Sequence, residues 1–350
     1  MNKNIKIILL VVLALCFIFF IGCEGPAGPA GADGVDGIDG TDGTDGADGI
    51  AGNVTCLVCH SEESLEIKRA QFAMSQHSVG DIAVAYAGAR ASCAKCHSHE
   101  GFVQFALGFD AENIAYPSPW QCSTCHGLHQ TFEQTDYALR LTDPVVAIFD
   151  ENVTFLLKGN NTMDLEGGSN LCANCHQSTR GEPNLTNPGE TFTITSTHYG
   201  PHHGAQANVV YGAGFAEIDG SVAYPTAGSS YHLAASCVGC HMSEFTDGEG
   251  GHSFNPSLAA CNTCHTTADF NYGGVQAEVD ELLVELRDLL ITAGVVAGDD
   301  VDGYHPVKGT YPMDQTRAFF NWSGLDEDRS MGVHNPKYVK ALLKNSIDAM

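Results

Sequence analysis

Apolar positions gather at the two ends of this chain and thin out between them. An unbroken apolar run from Ile7 to Ile21 follows Lys3 and Lys6. It is shorter than the about 20 residues that a bilayer-spanning helix needs, and positive charge followed by apolar residues predicts an export signal over residues 1–22. Near the other end Val275, Val279, Leu282, Leu286 and Leu289 recur at helical spacing and stop before Gly294, which predicts an amphipathic helix. A terminal helix is predicted from Asn335 as N-cap, with Pro336 in its first turn and Tyr338, Val339, Leu342, Leu343 and Ile347 on its buried face. Residues 62–74 predict another helix, and Val153 to Leu157 and Phe192 to Thr195 predict short strands. Elsewhere in residues 53–350 glycine, serine, threonine and asparagine break most windows. Little peptide core is expected there, so something other than apolar side chains must organise the middle.

The junction after the leader adds chemistry. Phe20-Ile21-Gly22-Cys23 resembles a bacterial lipoprotein cleavage box, with a small residue before the cysteine and Phe20 where leucine is usual. Either Cys23 is lipidated, giving a membrane anchor, or the leader is an ordinary cleaved one and Cys23 a spare thiol. From Gly25 to Gly52 every third residue is glycine, the period of a collagen triple helix. Only Pro26 and Pro29 supply proline, and Asp33, Asp36, Asp39, Asp42, Asp45 and Asp48 would crowd carboxylates together in a trimer. A flexible or polyproline-like spacer and a collagen-like trimer stem both remain open. Either would lift the body several tens of Å, at about 3 Å per residue.

Net charge is −26, with 16 lysines and arginines against 42 aspartates and glutamates. That balance excludes nucleic acid and anionic bilayer surfaces as partners, because both are bound through basic residues.

Fourteen cysteines and 16 histidines carry the remaining signal. Cys-x-x-Cys-His occurs six times, at Cys56-Cys59-His60, Cys93-Cys96-His97, Cys122-Cys125-His126, Cys172-Cys175-His176, Cys237-Cys240-His241 and Cys261-Cys264-His265. Two cysteines three apart lie on one side of a turn and match the two vinyl groups of a haem. The next residue then points beneath the ring, where histidine takes the iron. Zinc ribbons, redox dithiols and disulfides also use Cys-x-x-Cys, but none requires histidine next. At this histidine content, six such neighbours by chance have a probability on the order of 10⁻⁸. Six covalently attached c-type haems, each with iron, are therefore expected, and their attachment implies export.

An iron held by one histidine needs a sixth ligand. His129 follows His126 by three residues, on one side of a predicted helical turn, so it cannot reach the far face of its own haem and is expected to serve a neighbouring one. His77, His232 and His252 each precede a motif with room to loop over a ring, and His334 sits just before the terminal helix. At least one of His198, His202 and His203 is required if all six irons are filled, with His202 favoured. His99 and His305 are expected to face solvent. Met74, Met163, Met242, Met313 and Met331 are rival ligands.

Stretches such as Cys93-Ala-Lys-Cys-His-Ser-His-Glu-Gly-Phe, Gly200-Pro-His-His-Gly-Ala-Gln, Gly251-His-Ser-Phe and Asp328-Arg-Ser-Met-Gly-Val-His-Asn-Pro-Lys-Tyr resemble those of multihaem cytochromes exported by metal-reducing bacteria, in particular the outer-surface hexahaem, filament-forming type. The resemblance spans residues 53–350. It implies a multihaem cytochrome c fold organised by haem, mostly coil and α-helix with few short β-strands. It also implies bis-histidine irons in parallel and T-shaped haem pairs, with His77, His129, His202, His232, His252 and His334 as distal ligands. Other redox proteins or extracellular acceptors would be the partners, and filaments a mode of self-association. The lipid-anchor signal and the glycine stalk depart from that type.

The expected organisation is thus a leader (1–22), an anchor cysteine and spacer (23–52), and a hexahaem body (53–350), located at the outer membrane or cell surface, or else periplasmic or secreted. The expected function is electron transfer. The alternative is an oxidoreductase acting on a small nitrogen or sulfur oxyanion at one open haem. If haem replaces a peptide core, the chain without haem should be disordered.

Overall fold

The computed structural model describes residue 60 and residues 65–110, 112–129, 137–148, 162–266 and 269–350. All of them belong to the second of two compact units, Gly52–Met350. The leader, Cys23, the glycine repeat, Cys56, Cys59 and the strand expected at 153–157 lie outside the described residues.

The first half of the described body is a string of short helices: α1 (Ile67–Phe72), α2 (Gln76–Val79), α3 (Asp81–Ala87), α4 (Ala91–His97), α5 (His99–Ala106) and α6 (Cys122–Cys125). Local chemistry sets their ends. The Ser75 and Ser98 hydroxyls accept from the backbone N–H groups of Ser78 and Gly101, capping α2 and α5. Gly80 takes the left-handed conformation (φ 68°) between α2 and α3, which a side chain there would strain.

Next come a two-residue antiparallel pair, β1 (Val145–Val146) with β2 (Thr162–Met163), then α7 (Gly168–Ala173), α8 (Pro183–Thr186), β3 (Thr191–Ile194), α9 (Gln206–Tyr211), α10 (Ser236–His241) and α11 (Leu258–Asn262). The motif cysteines and histidines from Cys93 onward lie on, or just beyond, α4, α6, α7, α10 and α11.

The last third is more regular. It holds α12 (Val275–Thr292), the hairpin β4 (Val296–Asp299) and β5 (Gly303–Pro306), β6 (Gly309–Pro312), α13 (Met313–Asp328) and α14 (Pro336–Asp348). β6 pairs antiparallel with β3, Phe192 opposite Tyr311, joining this third to the middle of the chain. Asn335 caps α14 through its side chain, accepting from the Tyr338 N–H at 3.3 Å, with Pro336 in the first turn as expected.

The helix-rich, strand-poor architecture agrees with the sequence, but an apolar peptide core of real size is present. Leu283, Leu286 and Leu290 of α12, Phe319, Phe320 and Trp322 of α13, and Tyr338, Leu342 and Leu343 of α14 pack together. The buried line of α12 runs through Leu283 and Leu290, so the expected face is rotated, and Leu282 is only partly buried. A smaller cluster around Met163, Leu165 and Val210 sits between β1, β2, α7 and α9. This puts Met163 among apolar side chains.

Candidate functional site

The six motif histidines are brought together with the six histidines singled out as their partners, one to one. Ring centroids are 5.8 Å apart for His60 and His129, 6.0 Å for His77 and His176, and 5.9 Å for His97 and His202. They are 6.4 Å apart for His126 and His252, 6.2 Å for His232 and His265, and 6.3 Å for His241 and His334. A metal–imidazole bond is about 2.0–2.1 Å and the ring centroid lies about 1 Å behind its nitrogen. Two imidazoles gripping one ion from opposite sides therefore have centroids about 6 Å apart. The separations fit one shared metal ion per pair.

Hydrogen bonds orient the rings. Nδ1 of His126 bonds to the Tyr137 carbonyl and that of His232 to the Val333 carbonyl. Nδ1 of His241 bonds to the Phe254 carbonyl at 2.8 Å, and that of His176 to Gln206 Oε1 at 3.1 Å. Nδ1 of His334 bonds to Asp328 Oδ1 at 2.7 Å. When Nδ1 carries the proton toward an oxygen, Nε2 is left as the base that binds a metal. Burial and the neighbouring His176 push His77 down to about 4, keeping it neutral, as a metal ligand must be. At His334 burial pulls the other way from Asp328, and the carboxylate wins, so its affinity for a proton is raised.

The pairing differs from the local looping expected of the sequence. His77 meets His176 of the fourth motif rather than the second, His252 meets His126 of the third, and His232 meets His265 of the sixth. The Tyr231–Ala234 turn runs almost directly into α10, which leaves His232 too little chain to double back onto His241. His126 and His129 do not share a helical turn either. His126 is already extended (ψ 143°) and bridges to Leu139, and His129 adopts φ 56°. His129 nonetheless faces a histidine of another motif, His60.

Within the 198–203 cluster, His202 is the member that faces a motif histidine. His198 is exposed, and His203 forms an ion pair with Glu327. His305 is exposed as expected, but His99 is half-buried and its Nδ1 bonds to Thr124 Oγ1 at 2.7 Å.

The motif cysteines also cluster. Cys96 Sγ lies 3.7 Å from the Asn174 carbonyl and Cys175 Sγ lies 3.9 Å from the Lys95 carbonyl, so the second and fourth motifs meet back to back. Val238 N–H donates to Ser169 Oγ at 3.2 Å, joining the segment of the fourth motif to that of the fifth. Among the described residues no three His, Cys, Asp or Glu side chains converge to hold an ion on their own. The donor set is pairs of imidazoles beside pairs of thiols, which suits a planar macrocycle that brings its own equatorial nitrogens. The residues missed by sequence reasoning are the Nδ1 acceptors, Asp328 and Gln206 above all. Asp328 lay in view, six residues before His334, but a lone aspartate carries no signal without the fold.

The crystal structure of the outer cell wall cytochrome OcwA is similar to this chain, with a TM-score of 0.51 over 81% of this chain and 50% of that one at 16% identity. The chain therefore spans about half the length of OcwA, and the likeness is one of fold. No protein-family model and no curated protein sequence matches the chain.

Proposed function

We propose that the chain is a multihaem electron-transfer protein carrying six c-type haems. The observation that supports this most is the complete one-to-one pairing: each Cys-x-x-Cys-His histidine faces a second histidine at the spacing of one shared ion. In this reading Cys56, Cys59, Cys93, Cys96, Cys122, Cys125, Cys172, Cys175, Cys237, Cys240, Cys261 and Cys264 hold the haems as thioethers. His60, His97, His126, His176, His241 and His265 are proximal ligands, and His129, His202, His252, His77, His334 and His232 are their respective distal partners. Bound haem supplies a one-electron iron couple, at low potential where both axial ligands are imidazole.

The polypeptide's own part is to fix the rings. Carbonyl oxygens and Gln206 hold Nδ1 protons, and the Asp328 carboxylate makes His334 a more electron-rich donor than its counterparts. Two imidazoles per iron leave no position for an oxyanion substrate, which argues against the oxidoreductase alternative.

The acceptor is proposed to lie outside the cell, with other redox proteins as donors. The leader, the anchor signal at Cys23 and the glycine spacer support a lipid-anchored surface position, as does the fold shared with an outer cell wall cytochrome. The spacer also offers a route to self-association as a trimer stem. Among the described residues no helix is long and apolar enough to cross a membrane.

Mass analysis of the exported protein tests the haem count: six added macrocycles are expected, and zinc in place of iron would overturn the reading. Carbon monoxide binding to the reduced protein tests the ligation. Spectra unchanged by the gas are expected, and a high-spin fraction that binds it would favour the enzyme.

A further inference from the structure

We infer that Phe254 is a positioning residue that links three histidine pairs, its ring serving the third and fourth haem sites and its backbone carbonyl the fifth. The inference rests on the reading of the pairs as haem sites. Its ring lies 5.1 Å from that of His77, edge-on at 90°, and 6.0 Å from that of His252 at 63°. Its carbonyl oxygen accepts from His241 Nδ1 at 2.8 Å. One residue thus touches the distal ligands assigned to the fourth and third motifs and orients the proximal ligand of the fifth.

The backbone is built to present it. Phe254 has φ 58°, a left-handed conformation that is strained for a non-glycine residue and persists only where the surroundings demand it. The loop is closed by Gly250 N–H donating to the Asn255 carbonyl at 2.7 Å and by Ser253 Oγ donating to the Gly250 carbonyl at 2.7 Å. Phe72 of α1 backs the ring in a T-shaped contact at 6.4 Å. Gln71 Oε1 accepts from the His252 N–H at 3.1 Å, fixing the neighbouring residue as well.

An imidazole bound to iron can rotate about the metal–nitrogen bond unless something holds its edge. The flat edge of Phe254 does this for His77 and His252 at once, and its carbonyl does it for His241. The angle between two axial imidazoles shapes the low-spin ferric spectrum, so these rings report on Phe254 directly.

The test uses the full-length haem-loaded protein as Phe254→Leu and Phe254→Gly. Both keep the carbonyl, and glycine also relieves the left-handed conformation. The expected result is an unchanged haem content with shifted electron paramagnetic resonance signals for the His77–His176 and His126–His252 haems, the signal of His60–His129 remaining as in the wild type. Spectra superimposable on the wild type in both variants would overturn the proposal, as would a change spread equally over all six haems. Should a variant lose haem, peptide mass mapping decides: loss confined to the third, fourth or fifth motif supports the proposal, and loss at the first, second or sixth refutes it. Failure of the underlying haem reading would show separately, as a wild-type protein without low-spin iron.

Discussion

The imidazole planes of His60 and His129 lie within 8° of parallel. Three other pairs are close to perpendicular: His77 with His176 at 85°, His97 with His202 at 79° and His232 with His265 at 88°. His126 with His252 at 32° and His241 with His334 at 45° lie between. Parallel axial imidazoles separate the iron orbitals that perpendicular ones leave nearly degenerate. If each pair holds one haem, as proposed, the ferric protein is expected to give two families of low-spin resonance, three highly anisotropic haems and three rhombic ones. A spectrum of six alike signals would contradict the ring geometry.

Replacement of Asp328 by asparagine tests how the carboxylate behind His334 sets potential. His334 Nδ1 donates to Asp328 Oδ1 at 2.7 Å, and the carboxylate is nearly enclosed, its side chain 1% exposed. An anionic acceptor stabilises ferric over ferrous iron through the imidazole, and an amide acceptor does so less. The difference between a charged and a neutral hydrogen bond is about 1 kcal/mol, or about 40 mV for one electron. On the proposed haem reading, one of six haems in Asp328→Asn should titrate about 40 mV higher by spectroelectrochemistry, the other five being unmoved. A uniform shift of all six would mean a change of overall charge rather than of this bond.

How much of this was legible in the sequence depends on the range of each interaction. The motifs and the terminal helix with its Asn335 cap are local signals that can be read from spacing, whereas the full set of six partner histidines rested on the family resemblance. The pairing cannot be read from spacing, because His77 and His176 come together across about a hundred residues and nothing in either neighbourhood names the other. α13 was equally silent: Thr316, Asn321, Gly324 and Asp328 lie among its buried positions, so it shows no clean apolar stripe. Asn321 is buried because its amide bonds both ways to the backbone of Ala216, a relationship between residues far apart in the chain.

Arg317→Met should destabilise the protein. Arg317 Nε donates to Glu182 Oε2 at 3.0 Å, where the Glu182 side chain is 3% exposed, and its Nη2 donates to the Glu217 carbonyl at 3.1 Å. Removing the cation leaves a buried carboxylate without its partner, at a cost of about 3 kcal/mol or more. Burial already raises the Glu182 affinity for a proton, with Arg317 opposing it, and without Arg317 the rise is larger. A carboxyl whose folded pKa is raised favours the folded state below its unfolded pKa, an advantage lost as pH rises through the folded value. The deficit of Arg317→Met is thus largest at neutral pH and shrinks toward about pH 4 as Glu182 takes up its proton. Thermal melts across that range check it, and a pH-independent deficit would point to lost packing instead.

The apolar cluster of α12, α13 and α14 changes what is expected of protein made without haem. A chain organised by macrocycles alone should be disordered without them, yet Leu286, Leu290, Phe320, Tyr338, Leu342 and Leu343 are buried in side-chain contacts that involve no motif cysteine. Burying each such side chain contributes about 1.5–3 kcal/mol. The short motif helices have no comparable support: α4, α6 and α10 are 7, 4 and 6 residues long, well under the about 12–15 at which an isolated helix becomes even marginal. Hydrogen exchange on the unattached chain should therefore find protection in α12, α13 and α14 and none in α4, α6, α10 or α11. Leu286→Ala, at a cost of about 2–5 kcal/mol, should then erase the residual protection in the chain without haem. Uniform protection across the body, or none anywhere, would show that the two parts of the fold are not supported separately.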